Sequence, residues 1–118
     1  IRMSLLASDE RSMNMAVVGN GQYSVLVDDR GRIVWGCFPR FDGDPVFCSL
    51  LRQDSEIGFF DVDMAGAHHS KQSYYKHTAC LQTVLYSESE DTAIQITDCA
   101  PMFARHSRRF RPTLLMRK

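Results

Sequence analysis

The sequence lacks an excess of charge of either sign. Its 118 residues carry 14 basic and 14 acidic side chains, which gives a formal net charge of +0 at pH 7. Without a global positive field, nothing draws the whole chain towards nucleic acid or an anionic membrane surface. We therefore expect no nucleic-acid partner, because such a partner would need a local basic patch.

Long apolar runs are missing as well. No stretch approaches the roughly 20 apolar residues that a membrane-spanning helix needs. The N-terminal segment, IRMSLLASDERSMNM, lacks the long apolar stretch of a secretory signal. These two absences predict a cytoplasmic protein with no membrane partner.

The four cysteines include no C-x-x-C pair. Structural zinc sites usually bring their ligands in closely spaced pairs, so we expect no metal and no cofactor. Cys37, Cys48 and Cys80 lie in apolar sequence contexts, where cysteine behaves as a small hydrophobic residue. Reduced, buried thiols are therefore favoured over disulfides, which again suits the cytoplasm.

What the sequence does contain is the alternation of apolar and polar residues that is typical of β-strands. Strands are predicted at 22–27, 32–37, 58–64, 77–86, 92–98 and from about Thr113. The first two form a hairpin in which Gly31 takes a positive φ angle, and 77–86 and 92–98 form a second hairpin. Trp35 falls within a strand and is expected to pack in a core or between sheets.

One segment has the pattern of a helix, PVFCSLLRQ at residues 45–53. Asp44 would cap its N-terminus, and Pro45 suits a first helical position because it has no N–H to lose. The predicted fold class is therefore all-β, an antiparallel β-sandwich, complete or incomplete, with one short helix near 45–53. The 118 residues form a single domain or part of one.

Asp42 and Asp44 flank Gly43 and resemble a catalytic carboxylate pair. Glycosidic bond cleavage needs two separated carboxylates that face each other across the substrate, whereas two aspartates on one turn face the same way. For Asp42, an Asx-turn and a position in a pocket with Arg40 remain equally open. We assign no catalytic residue to this chain.

Two further clusters favour simple interpretations. His68 and His69 are neighbours and do not share a face, so an exposed loop is favoured over a metal site. Residues 105–112, RHSRRFRP, interleave arginines with a phenylalanine, a pattern that can bind single-stranded nucleic acid. Because the net charge is zero, a solvated connection between strands is favoured.

Residues 17–51, VVGNGQYSVLVDDRGRIVWGCFPRFDGDPVFCSLL, resemble the start of glycoside hydrolase family 15, in its bacterial glucoamylase-like and trehalase-like branch. The resemblance rests on three motifs: a hydrophobic-Gly-Asn turn, an Asp-x-x-Gly-x-Ile-x-Trp hairpin and a Cys-x-Pro-Arg-Phe-Asp segment that continues as x-x-Pro-x-Phe. They match here at Val18, Gly19, Asn20, Asp28, Gly31, Ile33, Trp35, Cys37, Pro39, Arg40, Phe41, Asp42, Pro45 and Phe47. The chain departs from the family pattern at Gly43, His77 and Cys99, where serine, asparagine and phenylalanine are usual.

The resemblance implies an N-terminal β-supersandwich that precedes an (α/α)6 barrel in these enzymes. The two catalytic glutamates of inverting hydrolysis lie in that barrel, which this chain does not contain. The chain alone is therefore expected to be non-catalytic, while the parent chain is expected to be an inverting glycosidase acting on α-linked glucosides. Its expected substrate-proximal or domain-interface residues are Trp35, Pro39, Arg40, Phe41 and Asp42.

Two alternatives stay open at this point. A small self-sufficient hydrolase would use Asp42 with Asp61, Asp63 or Asp98. A stand-alone β-sandwich that binds carbohydrate or nucleic acid would instead rely on Trp35, the tyrosines and the arginine run from Arg105 to Arg111. A partial sandwich also leaves unpaired edge strands, which tend to pair with one another, so a homo-oligomer is expected.

Overall fold

A computed structural model of the chain describes residues 13–52, 57–89 and 91–118. Over these residues the chain is almost entirely β-structure. The first four strands are β1 (Ala16–Gly19), β2 (Ser24–Val27), β3 (Ile33–Cys37) and β4 (Pro45–Phe47), followed by a 3-10 turn at Ser49–Leu51. The later strands are β5 (Ala67–Tyr74), β6 (Leu81–Ser87), β7 (Ala93–Cys99), β8 (Phe103–Arg105), β9 (Arg108–Phe110) and β10 (Met116–Arg117).

The strands form two four-stranded antiparallel sheets and one small arm. The first sheet has the order β1-β2-β3-β4, the second has the order β10-β7-β6-β5, and β8 pairs with β9 alone. This architecture confirms the prediction of an antiparallel β-sandwich. Both predicted hairpins are present, as β2–β3 and β6–β7, and Gly31 has the expected positive φ of 82°.

The core lies between the two sheets and follows the alternation of the strands. Val25, Val27 and Ile33 point inward from the first sheet, and Leu81 does so from the second; all are essentially inaccessible to solvent. Tyr23 completes this cluster and is also fully buried. The period-two pattern of the sequence therefore identifies the buried face correctly.

Trp35 is not part of this core, contrary to the prediction. It lies opposite Leu26 in the β2–β3 pairing and is only partly buried. The register shifts between Leu26 and Val27, so two residues of β3 share one step of the ladder. Such a bulge changes which residues point inward, and single-sequence alternation does not reveal it.

The predicted helix at 45–53 is wrong. Pro45–Phe47 form strand β4, which pairs with β3, and only Ser49–Leu51 form a single 3-10 turn; residue 53 lies outside the described residues. Proline suits an edge strand as well as it suits a first helical turn, because neither position needs its N–H. Asp44 is exposed and precedes a strand, so it has no helix to cap.

Four smaller predictions also need correction. The expected strand at 58–64 is reduced to one bridge between Phe60 and Ile33, and Asp61 leaves the ladder to pair with Arg32 at 2.9 Å. His68 and His69 lie in strand β5 rather than in a loop. The segment 105–112 contributes to the β8–β9 arm instead of forming an irregular connection. Of the three thiols predicted to be buried, Cys37 is buried, while Cys48 and Cys80 are partly exposed.

The β2–β3 turn joins the first sheet to the second. Ser70 Oγ donates to the Asp29 carbonyl at 2.7 Å, and Gln72 Nε2 donates to the Asp28 carbonyl at 2.7 Å. A Cβ added at Gly31 would lie 3.3 Å from the Thr83 side chain. The turn therefore needs glycine twice over, for its φ angle and for its close approach to the second sheet.

A buried ion pair ties the C-terminal strand to both sheets. Arg117 binds Asp98 with two hydrogen bonds of 2.6 and 2.8 Å, and the two side chains are 8% and 0% exposed. The same guanidinium donates to the carbonyls of Gly31 at 2.7 Å and Phe60 at 3.2 Å, and it lies over the Phe60 ring. Both charges are thus fully hydrogen-bonded inside the protein, as burial requires.

We expect Arg117→Met to lower the free energy of unfolding by about 3–5 kcal/mol, because it leaves the Asp98 carboxylate buried without its cation. The matched control is Arg40→Met, which removes the exposed ion pair of Arg40 with Asp42 and should cost less than about 1 kcal/mol. Urea denaturation of both variants measures the difference. Equal costs would show that the buried pair does not hold the sheets together.

A second prediction concerns pH and Asp28, whose carboxylate accepts the backbone N–H groups of Arg30 and Arg32 at 2.9 Å each. Burial raises the pKa of Asp28 despite these bonds. Asp28 therefore binds its proton more tightly in the folded chain than in the unfolded chain. The contribution of this group to the free energy of unfolding falls as pH rises from the ordinary aspartate pKa of about 4 through the raised value.

Asp28→Asn keeps the acceptor oxygen and removes the charge. We expect it to be at least as stable as the wild type at pH 7 and to lose this part of the pH dependence. Asp28→Ala should be less stable by about 1 kcal/mol or more, because two N–H groups lose their acceptor. Urea denaturation across the acidic range measures both; equal destabilisation by the two variants would contradict the assignment.

Candidate functional site

The chain turns sharply at residues 38–43, which we name the proline corner. The Phe38–Pro39 peptide bond is cis, and the Arg40 carbonyl accepts the Gly43 N–H at 3.0 Å. The Phe38 ring packs at 4.7 Å from the Tyr23 ring, which belongs to the core. The corner is therefore anchored from inside, while Arg40, Phe41 and Asp42 project into solvent.

Gly43 is required by the close approach of the chain to itself. A Cβ at this position would lie 2.6 Å from the Phe38 carbonyl oxygen and 3.1 Å from the Arg40 carbonyl oxygen. Both contacts are with backbone atoms, which cannot move aside without reshaping the turn. Glycine is therefore the residue that this turn accommodates without a shift of the backbone.

A polar cleft of about 660 Å3 opens beside the corner. It is lined by Gly21, Gln22, Arg40, Phe41, Asp42 and Arg111. Its volume lies in the range of small-molecule sites, roughly 300–1,000 Å3. The cleft brings together three of the five residues singled out from the sequence, and Pro39 shapes the turn that carries them.

Within the cleft, Arg40 Nε lies 3.3 Å from Asp42 Oδ1. Of the two possibilities that the sequence left open for Asp42, the structure shows the position in a pocket with Arg40. The two side chains are 68% and 75% exposed, so their charges stay accessible to a ligand or a neighbouring surface. An exposed pair of this kind contributes little to the stability of the fold. Both charged groups can therefore contact a ligand without a large loss of stability.

Asn20 positions the opposite wall of the cleft. Its side-chain amide donates to the carbonyls of Pro112 at 2.8 Å and Pro101 at 3.2 Å, and its Oδ1 accepts the Gln22 N–H at 3.1 Å. Asn20 is only 6% exposed, so its role is to hold neighbouring backbone segments together and not to bind a ligand. The Arg111 side chain comes within van der Waals reach of the space above Gly21.

Tyr23 reinforces that wall, because its hydroxyl donates to the Leu114 carbonyl. Gln22 and Arg111 are therefore functional candidates that the sequence analysis missed. Asn20 belongs to the hydrophobic-Gly-Asn motif, which indicates a turn. That predicted turn could have drawn attention to the nearby Gln22. Arg111 lies some ninety residues from this turn, and no short-range pattern connects the two.

The remaining candidates lie elsewhere. Trp35 lies on β3 outside the lining of the cleft. The carboxylates that a self-sufficient hydrolase would combine with Asp42 are engaged in other contacts: Asp98 in the buried pair with Arg117, Asp61 with Arg32, and Asp63 with the backbone N–H of Met64. The described part of the chain also contains no group of three metal-ligating side chains close enough to hold an ion.

The chemistry available in the cleft is recognition. Arg40, Arg111 and the Gln22 amide offer hydrogen-bond donors, Asp42 offers acceptors, and Phe41 offers an apolar ring that is 58% exposed. Polyhydroxylated ligands both donate and accept hydrogen bonds and present apolar C–H faces, and this set of groups matches those needs. A single accessible carboxylate does not supply the acid and base that glycoside hydrolysis requires.

Comparison with known proteins points to one family. A family model described as "Trehalase-like, N-terminal" matches residues 3–107. The chain is 30% identical over 90 residues to Trehalase 2 of Sulfolobus acidocaldarius, which covers 76% of this chain and 15% of that protein. It is 27% identical over 86 residues to the Trehalase of Thermoplasma volcanium, covering 71% of this chain and 14% of that protein.

A shorter match, 48% identity over 48 residues, relates the chain to Trehalase 1 of S. acidocaldarius and covers 41% of this chain and 8% of that protein. The chain thus spans 8 to 15% of the length of these curated relatives. No solved structure matches it.

We expect Gly43→Ala to lower the free energy of unfolding by about 1–3 kcal/mol, because the new methyl group meets the Phe38 carbonyl. NMR chemical shifts should change at residues 38–43 and at Gln22 across the cleft. The control is Asp44→Ala, an exposed neighbour whose loss should change stability by less than about 0.5 kcal/mol. If Gly43→Ala left both the stability and the shifts of Phe38 unchanged, the proline corner would not depend on this close approach.

Proposed function

The chain belongs to the trehalase-like N-terminal domain family, and on this basis we propose that it is the non-catalytic N-terminal domain of a trehalase-type glycosidase. In this proposal a separate catalytic domain, the helical barrel implied by the family 15 resemblance, breaks the bond. The proline corner packs against that domain and forms one wall of its active site. The two catalytic glutamates and the inverting course of hydrolysis belong to the barrel.

The observation that carries the proposal is the family match over residues 3–107, combined with the small share of each relative that the chain spans. The cleft supports the same division of labour, because it gathers groups that bind and lacks a facing pair of carboxylates among its lining residues. A domain of this kind contributes contacts and shape, while the chemistry is supplied from outside it.

The surface around the corner supports a docking role. Phe41, Val46 and Leu51 are 58%, 57% and 75% exposed, and they follow one another along the corner, β4 and the 3-10 turn. Exposed apolar side chains that lie close together in the chain are consistent with a surface that another domain covers. The corner is also stiff enough for the task, because the Phe38 ring holds it to the core.

Trehalose is the substrate that we propose for the parent enzyme, since the matched relatives are named trehalases. Its two α-linked glucose units carry hydroxyl groups around apolar ring faces. Arg40, Asp42 and Arg111 would bind the hydroxyl groups of the unit that extends out of the catalytic pocket, and Phe41 would contact a ring face. Other α-glucosides share these features, so the choice among them rests on the relatives.

A cytoplasmic location and a homo-oligomer also remain predictions. Among the described residues, no helix is long and apolar enough to cross a membrane. One sheet edge is less available for self-association than expected, because the Tyr74 hydroxyl binds both the N–H and the carbonyl of Val17 on β1, at 3.0 and 2.8 Å. The eight-residue edge strand β5 is the edge through which we propose that copies pair.

The proposal is tested in the parent enzyme by Arg40→Ala and Phe41→Ala. We expect kcat/KM for trehalose to fall by on the order of tenfold or more in each, because contacts at the rim of the active site are lost. The matched control is Lys76→Ala, which removes a cation from an exposed turn between β5 and β6. A steady-state glucose-release assay measures all three, and equal activities would contradict the role of the corner.

The isolated 118-residue chain separates the alternatives. We expect it to release no glucose from trehalose and to show no saturable binding by calorimetry, because a single wall seldom holds a sugar alone. Saturable binding that Arg111→Ala abolishes would favour the stand-alone carbohydrate-binding module. Turnover that Asp42→Asn abolishes would favour the small hydrolase and overturn the proposal.

A further inference from the structure

Two cysteines face each other at the ends of neighbouring strands in the second sheet. In the β6–β7 pairing Leu81 lies opposite Asp98, and this register places Cys80 opposite Cys99. Leu81 and Asp98 point into the core and are essentially inaccessible to solvent. Because side chains alternate along a strand, both cysteines lie on the outer face of the sheet, which points away from the first sheet.

The backbone hydrogen bonds show that this pair is of the close type. The Cys80 carbonyl accepts the Tyr75 N–H at 2.9 Å, and the Cys80 N–H donates to Thr78 Oγ1 at 3.2 Å. Both groups therefore point away from β7, which makes Cys80 and Cys99 a non-hydrogen-bonded antiparallel pair. In such pairs the Cα atoms are about 4.5 Å apart and the side chains come closest. That separation falls within the range that a disulfide spans, about 4.4–6.8 Å.

The sulfur atoms are already in contact, with Cys80 Sγ 3.0 Å from Cys99 Sγ. Both residues are partly exposed, so a reagent can reach them. Cys80 also lines a cavity of about 530 Å3 on the outer face, together with Tyr75, Thr78, Gln95, Thr97 and Lys118. The cavity is large enough for a peptide-sized thiol reagent, and Lys118 favours an anionic one.

The two thiols differ in their environment. The hydrogen bond with Cys80, and burial as a smaller cause, raise the pKa of the Cys99 thiol to about 11. Cys80 presents its sulfur to the cavity, whereas Cys99 is not among the residues that line it. This arrangement suits Cys80 as the attacking sulfur and Cys99 as the resolving one.

We propose that Cys80 and Cys99 form a thiol–disulfide exchange site, which an anionic small-molecule disulfide in the cavity oxidises to a reversible cross-strand disulfide. This site is separate from the polar cleft and does not depend on the function proposed for it. It also modifies the sequence-based expectation, because the thiols are reduced in a reducing environment and respond when that environment becomes oxidising.

The reaction proceeds in two exchanges. Cys80 first loses its proton to water, and its thiolate attacks one sulfur of the external disulfide; the external S–S bond breaks, one external thiolate leaves, and a mixed disulfide forms on Cys80. Cys99 then loses its proton to water, and its thiolate attacks Cys80 Sγ and displaces the second external thiolate. Two protein thiols thus lose two electrons and two protons, and the external disulfide is reduced to two thiols.

The disulfide would join the start of β6 to the end of β7, the strand with which β10 pairs at the edge of the sheet. Met116 of β10 pairs with Cys99, and Thr97 exchanges two backbone hydrogen bonds with Lys118, at 2.8 and 3.0 Å. A covalent link at Cys99 therefore fixes the strand to which the C-terminal segment is bound.

Glutathione disulfide is the probe that tests this site in the folded chain. After equilibration in glutathione mixtures, remaining thiols are alkylated and the chain is digested with trypsin. Cys80 and Cys99 fall together in the fragment 77–105, whereas Cys37 and Cys48 fall in the fragments 33–40 and 41–52 and serve as internal controls.

We expect fragment 77–105 to lose two hydrogen atoms and to escape alkylation, with an oxidised-to-reduced ratio at least about tenfold above that of any other cysteine pair. Cys99→Ser should trap glutathione on Cys80, and Cys80→Ser should carry much less of it on Cys99. Urea-unfolded chain should lose the preference. A doubly alkylated fragment 77–105 throughout, or the same yield in urea, would overturn the proposal.

Discussion

The buried pair of Arg117 and Asp98 is the interaction on which the two-sheet arrangement depends most. A buried charge must replace its hydrogen bonds to water with hydrogen bonds to the protein. Arg117 does so by binding Asp98 and the carbonyls of Gly31 and Phe60. These partners come from the first sheet, the second sheet and the segment after the 3-10 turn. The pair can be satisfied only when all of them are in place, so one side chain near the end of the chain sets the relation of the sheets.

The polar cleft is built on the same principle, with buried polar side chains in place of a buried ion pair. Buried polar side chains, such as Asn20 and Tyr23, bind backbone carbonyls of the 101–114 segment and hold it beside the β1–β2 turn. Arg40 and Asp42 are then presented from a corner that the Phe38 ring anchors. The side chains of Arg40 and Asp42 are largely exposed and few contacts hold them in place. Such side chains suit contact with a second protein surface or a sugar better than they suit the precise placement of catalytic groups.

The errors of sequence-based prediction have identifiable physical causes. Pro45 was taken as the first residue of a helix, yet an edge strand tolerates proline for the same reason that a helix start does, since neither uses its N–H. Trp35 was placed in the core because large aromatic residues are usually buried, and the bulge at Val27 put it on the other face. Arg111 could not be assigned to the cleft at all, because its partner turn lies some ninety residues away in the chain.

From the sequence alone, the fold class, both hairpins and the turn at Gly31 could be predicted, because each depends on residues close together in the chain. The family could also be identified from the motifs between Val18 and Phe47. Only the tertiary structure decided which groups line the cleft, why Asp98 is not available for catalysis, and that Cys80 meets Cys99. Those facts depend on how distant strands pair and on where a bulge falls, and strand pairing is a property of the whole sheet that no local pattern contains.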